Sequence, residues 1–122
     1  MSGHDYLFDE NVPLVISTQL QRREPSIRVY TIGDEAAPPK GTLDPDILKW
    51  IEGNNCLLIT NNRASIPVHL KNHLAQGLHI PGIIQLPRRI DIRMVLEDLL
   101  LIYLLGEPDE FQDQIIYLPL RA

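Results

Sequence analysis

Two clusters of small polar side chains contain the residue types that bind hard cations or phosphate groups. Asp9 and Glu10 follow one short apolar segment, and Asn61 and Asn62 follow a second one. Carboxylate and amide oxygens are ligands of Mg²⁺, which keeps several water molecules and binds substrate phosphates. A metal ion in such a site orients a water molecule, lowers its pKa and stabilises a leaving oxygen, which is the chemistry of phosphodiester hydrolysis.

Asp44 is a further acidic candidate, at the start of the segment DPDIL. Asp44 suits the N-cap of a helix and Pro45 the first helical position. The long loop before Asp44 leaves the carboxyl end of a predicted strand, so Asp44 can reach the polar clusters. Asp and Asn at helix starts also accept backbone hydrogen bonds. Spacing alone therefore leaves both a metal site and a purely structural role open.

The elements that would position these residues follow from the hydrophobic pattern. Short apolar segments alternate with helical patterns, which predicts an α/β fold with a mainly parallel sheet of about five strands. Ligands of such sheets bind outside the carboxyl ends of the strands. The predicted strands span 6–8, 27–31, 56–60, 82–86 and 115–118, the last at an edge because Pro119 follows. The predicted helices span 13–23, 44–51, 66–76 and 91–105.

Length and net charge limit the classes of protein to which this chain can belong. A chain of 122 residues with 44% apolar residues is expected to fold as one domain, 1–122. Its formal net charge is −5, whereas proteins that hold nucleic acid through phosphate contacts are usually basic on one face. Any contact with nucleic acid must therefore be local. The basic clusters are Arg22-Arg23 and the segment 88–93, both expected at solvated helix ends.

The cellular compartment is expected to be the cytoplasm. Cys56 is the single cysteine, which excludes an internal disulfide and fits a reducing environment. We expect its thiol to be buried. The segment 1–5 lacks the basic start of a secretory leader, and the apolar segment 94–105 is interrupted by acidic residues. We therefore expect neither a leader nor a membrane span.

The order of three motifs resembles the PIN-like domains, in particular the compact uncharacterised branch akin to the VapC-type toxin ribonucleases. The motifs are LFDENVP, DPDIL and LLITNN, and they are similar to D-E-N-[VLI]-P, D-x-x-I-L and T-x-D-x-D-F. The likeness covers about residues 5–86. It implies a three-layer α/β/α sandwich and Mg²⁺- or Mn²⁺-dependent cleavage of RNA, often as the toxin partner of a small antitoxin.

The resemblance assigns roles to individual residues. Asp9 and Asp44 match acidic positions of the family, and Asn62 stands at the third acidic position. These three are the predicted catalytic residues and metal ligands, with Glu10 as an additional ligand. Predicted contacts to the substrate come from Asn11, Thr60 and Arg63.

The chain departs from the family pattern at its third motif. Asn62 and Ala64 stand where the family has acids, and Ser65 stands where it has Phe. One unit charge about 4 Å from another contributes roughly 4 kcal/mol at an effective dielectric of 20, and a divalent ion doubles this gross figure. The resemblance favours a metal-dependent ribonuclease as the function. The alternative is a non-cleaving module that binds RNA or a protein, and a structural α/β domain is the third hypothesis.

Two predicted helices carry features with possible functional meaning, a pair of histidines and an apolar surface. His69 and His73 are spaced i, i+4 on a predicted helix, and we expect a half-exposed structural pair rather than a zinc site. The last predicted helix is apolar on nearly all sides, which indicates burial on more than one side. We expect part of that surface to be covered by a second copy in a homodimer.

Overall fold

The computed structural model describes residues 4–120, over which five strands and four helices alternate. The expected absence of a leader concerns the start of the chain, of which residues 1–3 lie outside the described residues. The strands are Asp5–Phe8 (β1), Val29–Thr31 (β2), Cys56–Thr60 (β3), Ile83–Gln85 (β4) and Ile115–Tyr117 (β5). The helices are Leu14–Arg23 (α1), Asp44–Asn54 (α2), Ile66–Ala75 (α3) and Ile92–Leu105 (α4).

The strands form one parallel sheet in the order β2-β1-β3-β4-β5. The two longest strands, β1 and β3, pair directly, with Tyr6 opposite Leu57 and Phe8 opposite Ile59. Strand β5 lies at the edge, as predicted. The α/β prediction with a five-stranded parallel sheet is therefore confirmed.

Helices cover both faces of the sheet, because alternate side chains of each strand point to opposite faces. Tyr6 and Phe8 of β1 pack with α1 and α4, whereas Leu7 packs with α2 and α3. In β3, Ile59 and Leu58 divide between the two faces in the same way. The result is a three-layer α/β/α arrangement, with a hydrophobic core on each side of the sheet.

The four crossovers do not all have the same hand. From β1 to β2 the chain moves toward one edge of the sheet, with α1 on one face. From β2 to β3 and from β3 to β4 it moves toward the other edge, with α2 and α3 on the opposite face. Helix α4 continues in that second direction but lies on the face of α1. Its crossover therefore has the opposite hand to the other three, although such connections are overwhelmingly right-handed.

The start of α2 differs by one residue from the sequence prediction. The N-cap is Leu43, whose carbonyl accepts hydrogen bonds from the backbone N–H groups of Asp46 (2.9 Å) and Ile47 (3.1 Å). Asp44 is instead the first helical residue, followed by Pro45. The predicted N-cap role of Asp44 is therefore wrong, and its carboxylate is free for contacts outside its own helix.

Cys56 lies in the core, as expected, with no exposed surface. Burial raises the pKa of its thiol to about 12, so the unreactive protonated form is held at neutral pH.

None of the helices between residues 4 and 120 has the length and apolar character needed to cross a bilayer.

A substitution at Gly82, just before β4, tests the packing on the β5 side of the sheet. A Cβ at Gly82 would meet the Cβ and carbonyl oxygen of Phe111 at 2.8 and 2.9 Å, and neither atom belongs to a flexible chain end. Gly82→Ala is expected to lower the free energy of unfolding by about 2–3 kcal/mol, measured by urea titration, because of this overlap and because the φ of +154° at Gly82 is one that L residues rarely adopt. The matched control is Gly53→Ala within α2, where a Cβ meets nothing within 4 Å. This control should be neutral or stabilising by up to about 1 kcal/mol; equal effects of the two substitutions would contradict the packing described.

Candidate functional site

The order of the strands reverses between β1 and β3. From β1 the chain goes first to β2 on one side and later returns to β3 on the other side. In open α/β sheets, the crevice outside the carboxyl ends of strands at such a reversal is the usual ligand site. Asp9 directly follows β1, and Asn61 and Asn62 directly follow β3. These three residues of the two polar clusters therefore lie at this crevice.

Asp9 is held in place by the last residue of β3. The hydroxyl of Thr60 donates a hydrogen bond to Oδ2 of Asp9 (2.8 Å) and accepts one from the backbone N–H of Asn62 (3.0 Å). The other carboxylate oxygen of Asp9 accepts from the N–H of Glu10 (2.8 Å). Thr60 is fully buried. It therefore positions Asp9, and its burial leaves it no surface with which to contact a substrate as predicted.

Asn62 uses both ends of its side-chain amide within its own loop. Its Oδ1 accepts hydrogen bonds from the backbone N–H groups of Ala64 (3.1 Å) and Ser65 (3.2 Å). Its Nδ2 donates to Oγ of Ser65 (2.7 Å). At the third acidic position of the family motif, this chain therefore has a residue that shapes the turn leading into α3.

Ser65 connects this turn to Asp44. Its hydroxyl donates to Oδ2 of Asp44 (2.8 Å), and Nε2 of His69 lies 3.7 Å from the same oxygen. Asp44 thus reaches the edge of the sheet where Asp9 lies, as the sequence predicts. A continuous set of hydrogen bonds joins the two acids, and we call it the strand-end network: Asp9, Thr60, Asn62, Ser65 and Asp44.

The remaining predicted residues tie the surrounding loops together. Oε1 of Glu10 accepts from the backbone N–H of Gly41 (3.3 Å), in the loop after β2. Nδ2 of Asn61 donates to the carbonyl oxygen of Asn11 (3.1 Å). These contacts give Glu10, Asn11 and Asn61 structural partners within the loops that follow the strands.

Arg63 lies beside a cleft that the sequence analysis missed. One guanidinium nitrogen of Arg63 donates to the carbonyl oxygen of Leu86 (2.9 Å), just after β4. The cleft has a volume of about 530 Å³. Its polar lining comes from Asn61, Asn62, Arg63 and Arg88, and its apolar lining from Ala64, Pro87 and Ile90.

Arg88 is the residue whose position the sequence analysis misjudged. It lies in the loop between β4 and α4 and not at a helix end. Its place just after a predicted strand next to β3 could have indicated that Arg88 lies near the other site residues, because the carboxyl ends of parallel strands meet at the same edge.

The histidines of α3 do not form the half-exposed pair expected from their spacing. His73 is only 4% exposed, and its Nε2 lies 3.1 Å from Oε1 of Glu52 and 3.2 Å from the carbonyl oxygen of His79. His69 is partly exposed and faces Asp44. The two rings therefore have different carboxylate partners. The expected half-exposure of His73 is wrong. The expectation of a structural role without zinc chemistry stays a prediction.

The oxygen ligands at this edge meet only part of what Mg²⁺ or Mn²⁺ requires. Asp9 and Asp44 retain charged oxygens at the edge of the sheet, and Mg²⁺ is often bound by one or two carboxylates. The oxygen of Asn62 faces backbone N–H groups, and Glu10 faces Gly41. Over the described range 4–120, no three His, Cys, Asp or Glu side chains form a group that could hold a metal ion. The residues do not fit the multi-acid centre that the resemblance implies, and a bound metal stays a prediction.

The chain was compared with known proteins. No family model, curated protein or solved structure matches it. The resemblance to PIN-like domains therefore rests on the three sequence motifs.

Thr60→Val tests the strand-end network. The valine removes the hydroxyl and leaves the N–H of Asn62 without its acceptor, so the free energy of unfolding should fall by about 1–2 kcal/mol. Amide hydrogen exchange gives the sharper readout, because the Asn62 amide should lose its protection. Thr60→Ser keeps the hydroxyl and should keep that protection. An Asn62 amide that exchanges equally in both variants would contradict the hydrogen bond.

Proposed function

We propose that this chain is a PIN-like domain that binds single-stranded RNA at the carboxyl ends of its strands and does not cleave it. One observation carries the proposal: the amide of Asn62 is used at both ends by its own loop. A residue in this arrangement organises the turn and supplies no charge to a metal ion. The side chain of Ala64 supplies no ligand either.

The absence of negative charge at positions 62 and 64 is a stronger argument against cleavage than the geometry of the loop. Each acid lost near a divalent cation removes a large attraction, and a neutral amide oxygen offsets only part of it. The strand-end network also satisfies Asp9 and Asp44 with hydroxyl donors from Thr60 and Ser65. The two acids are therefore hydrogen-bonded within the protein itself.

RNA is favoured as the ligand because two arginines, Arg63 and Arg88, line a cleft at the same edge of an otherwise acidic protein. Local positive charge is what phosphate contacts require. The protein alternative, a small antitoxin-like partner, would make the same edge or the surface of α4 a protein interface.

A metal-dependent ribonuclease, acting as a toxin, is the second candidate function. The observation that favours it is the connection of Asp9 to Asp44 through the strand-end network, which holds two acids at the reversal of strand order. In that case Mg²⁺ or Mn²⁺ would be held by these two carboxylates together with substrate phosphates.

Titration calorimetry with Mn²⁺ separates the two functions. The wild-type protein is expected to show no binding at micromolar concentrations, whereas the double variant Asn62→Asp, Ala64→Asp should bind because two charges are restored. Adding Asp9→Ala to the double variant should abolish this binding. The matched control Asn61→Asp, Ala64→Asp adds the same charge with one acid moved by a single position.

RNA cleavage is then assayed with the same set of proteins. Micromolar Mn²⁺ binding and RNA cleavage by the wild type, both lost in Asp9→Ala, would overturn the non-cleaving function in favour of the ribonuclease. Retention of RNA binding without cleavage would support the proposal.

We also propose that the chain forms a homodimer through the end of α4. Leu101, Leu104 and Leu105 are 48%, 50% and 74% exposed on this helix. Leu101 and Leu105 border an apolar cleft of about 210 Å³ that also includes Phe111 and Leu120. Two-fold dimers are the commonest oligomers and bury the same surface on both subunits.

Leu105→Glu should shift the protein from dimer to monomer in sedimentation velocity experiments, because it places a charge in the apolar interface. Leu43→Glu is the matched control, since Leu43 is 71% exposed at the start of α2, on the other face of the sheet. A wild-type protein that is monomeric at high micromolar concentration, or a control that dissociates equally, would contradict this interface.

A further inference from the structure

We infer that the cleft between the loops after β3 and β4 is a nucleotide subsite. One phosphate of the RNA chain lies between Arg63 and Arg88, and the adjoining base packs against Pro87 and Ile90. The inference rests on the proposed function for its ligand class. It goes further by placing the ligand beside the strand-end network and away from the acids.

Arg63 is pre-organised to receive a phosphate. Its hydrogen bond to the carbonyl oxygen of Leu86 fixes the guanidinium on a rigid part of the protein. Leu86 is fully buried, and its own N–H donates to the carbonyl oxygen of Thr60 (2.9 Å). A guanidinium has five N–H donors, so the remaining donors can bind phosphate oxygens without moving the side chain.

The arginines of the cleft have no ion-pair partners in the described part of the chain. Among residues 4–120, no carboxylate forms an ion pair with Arg63 or Arg88. Arg88 is exposed, and no internal hydrogen bond holds its side chain within the described part of the chain. Two guanidinium groups lining one cleft match a phosphate that presents oxygens to both.

The rest of the cleft suits a nucleobase. Ala64, Pro87 and Ile90 supply an apolar surface. Asn61 donates through Nδ2 to the carbonyl of Asn11, which leaves its Oδ1 to accept from a base edge. The volume of about 530 Å³ lies within the roughly 300–1,000 Å³ of small-molecule sites. Packing on the aliphatic groups does not depend on the identity of the base, so any preference for sequence would come from the contact with Asn61.

The position of the subsite makes binding independent of divalent metal. Asp9 and Asp44 would repel a phosphate unless a cation lay between them, whereas Arg63 and Arg88 attract it directly. RNA binding should therefore persist in EDTA.

Fluorescence anisotropy with a labelled uridine hexanucleotide in EDTA and low salt tests the subsite. Arg88→Ala is expected to weaken binding about tenfold, which corresponds to the loss of one charge-assisted hydrogen bond. The slope of log affinity against log salt should fall by about 0.7, the value for one phosphate contact on a single strand. The matched control is Arg89→Ala, because the neighbouring Arg89 is also exposed but does not line the cleft.

Equal weakening by Arg88→Ala and Arg89→Ala would overturn the subsite, because binding would then depend only on overall charge. Unchanged binding in Arg88→Ala would overturn it as well, while leaving RNA binding itself intact. Thermal unfolding of both variants checks that each is folded.

Amide chemical shifts during titration with uridine monophosphate separate the subsite from the proposed function. Shifts at Asn61, Arg63 and Ile90 that disappear in Arg88→Ala would support the subsite even if the hexanucleotide does not bind. Equal shifts with inorganic phosphate would overturn the inference, because the cleft would then be an anion site without a place for the base.

Discussion

The hydrogen bond from the hydroxyl of Thr60 to Asp9 connects the ends of the two central strands at the point where strand order reverses. The rest of the strand-end network continues from it. The same hydroxyl accepts the N–H of Asn62 and so starts the turn that brings Ser65 to Asp44. A buried donor in a rigid strand is well suited to this role, because it needs no ordering after the sheet has formed.

The strand-end network and the arginine cleft share a loop but differ in charge. Asn62 and Ala64 line the cleft while the amide of Asn62 also belongs to the network, so the segment 61–65 forms the boundary between an acidic and a basic surface. With the RNA binding that we propose, such a boundary would direct the phosphate chain to one side of the crevice. The orientation of a bound strand would then follow from electrostatics as well as from shape.

Periodicity and turn residues predicted all the strands and helices of the described region, because each element carries its own local pattern. The convergence of Asp9 and Asn62 followed from the rule for parallel strands, and the reach of Asp44 followed from the long loop after the second strand. The bridge through Ser65 could not be predicted, since it depends on a tertiary contact between the starts of α2 and α3. The opposite hand of the α4 crossover is also invisible in sequence, because helices on either face of a sheet carry similar apolar stripes.

The internal bonding of Asn62 has a consequence for the stability of the protein under different ionic conditions. Several carboxylates gathered at one place repel each other, and a fold that contains them depends on cations to offset this repulsion. With an amide and a methyl group at two of these positions, the edge of the sheet carries less self-repulsion. Acids at both positions would make the stability of the fold depend more strongly on divalent ions than it does with Asn62 and Ala64.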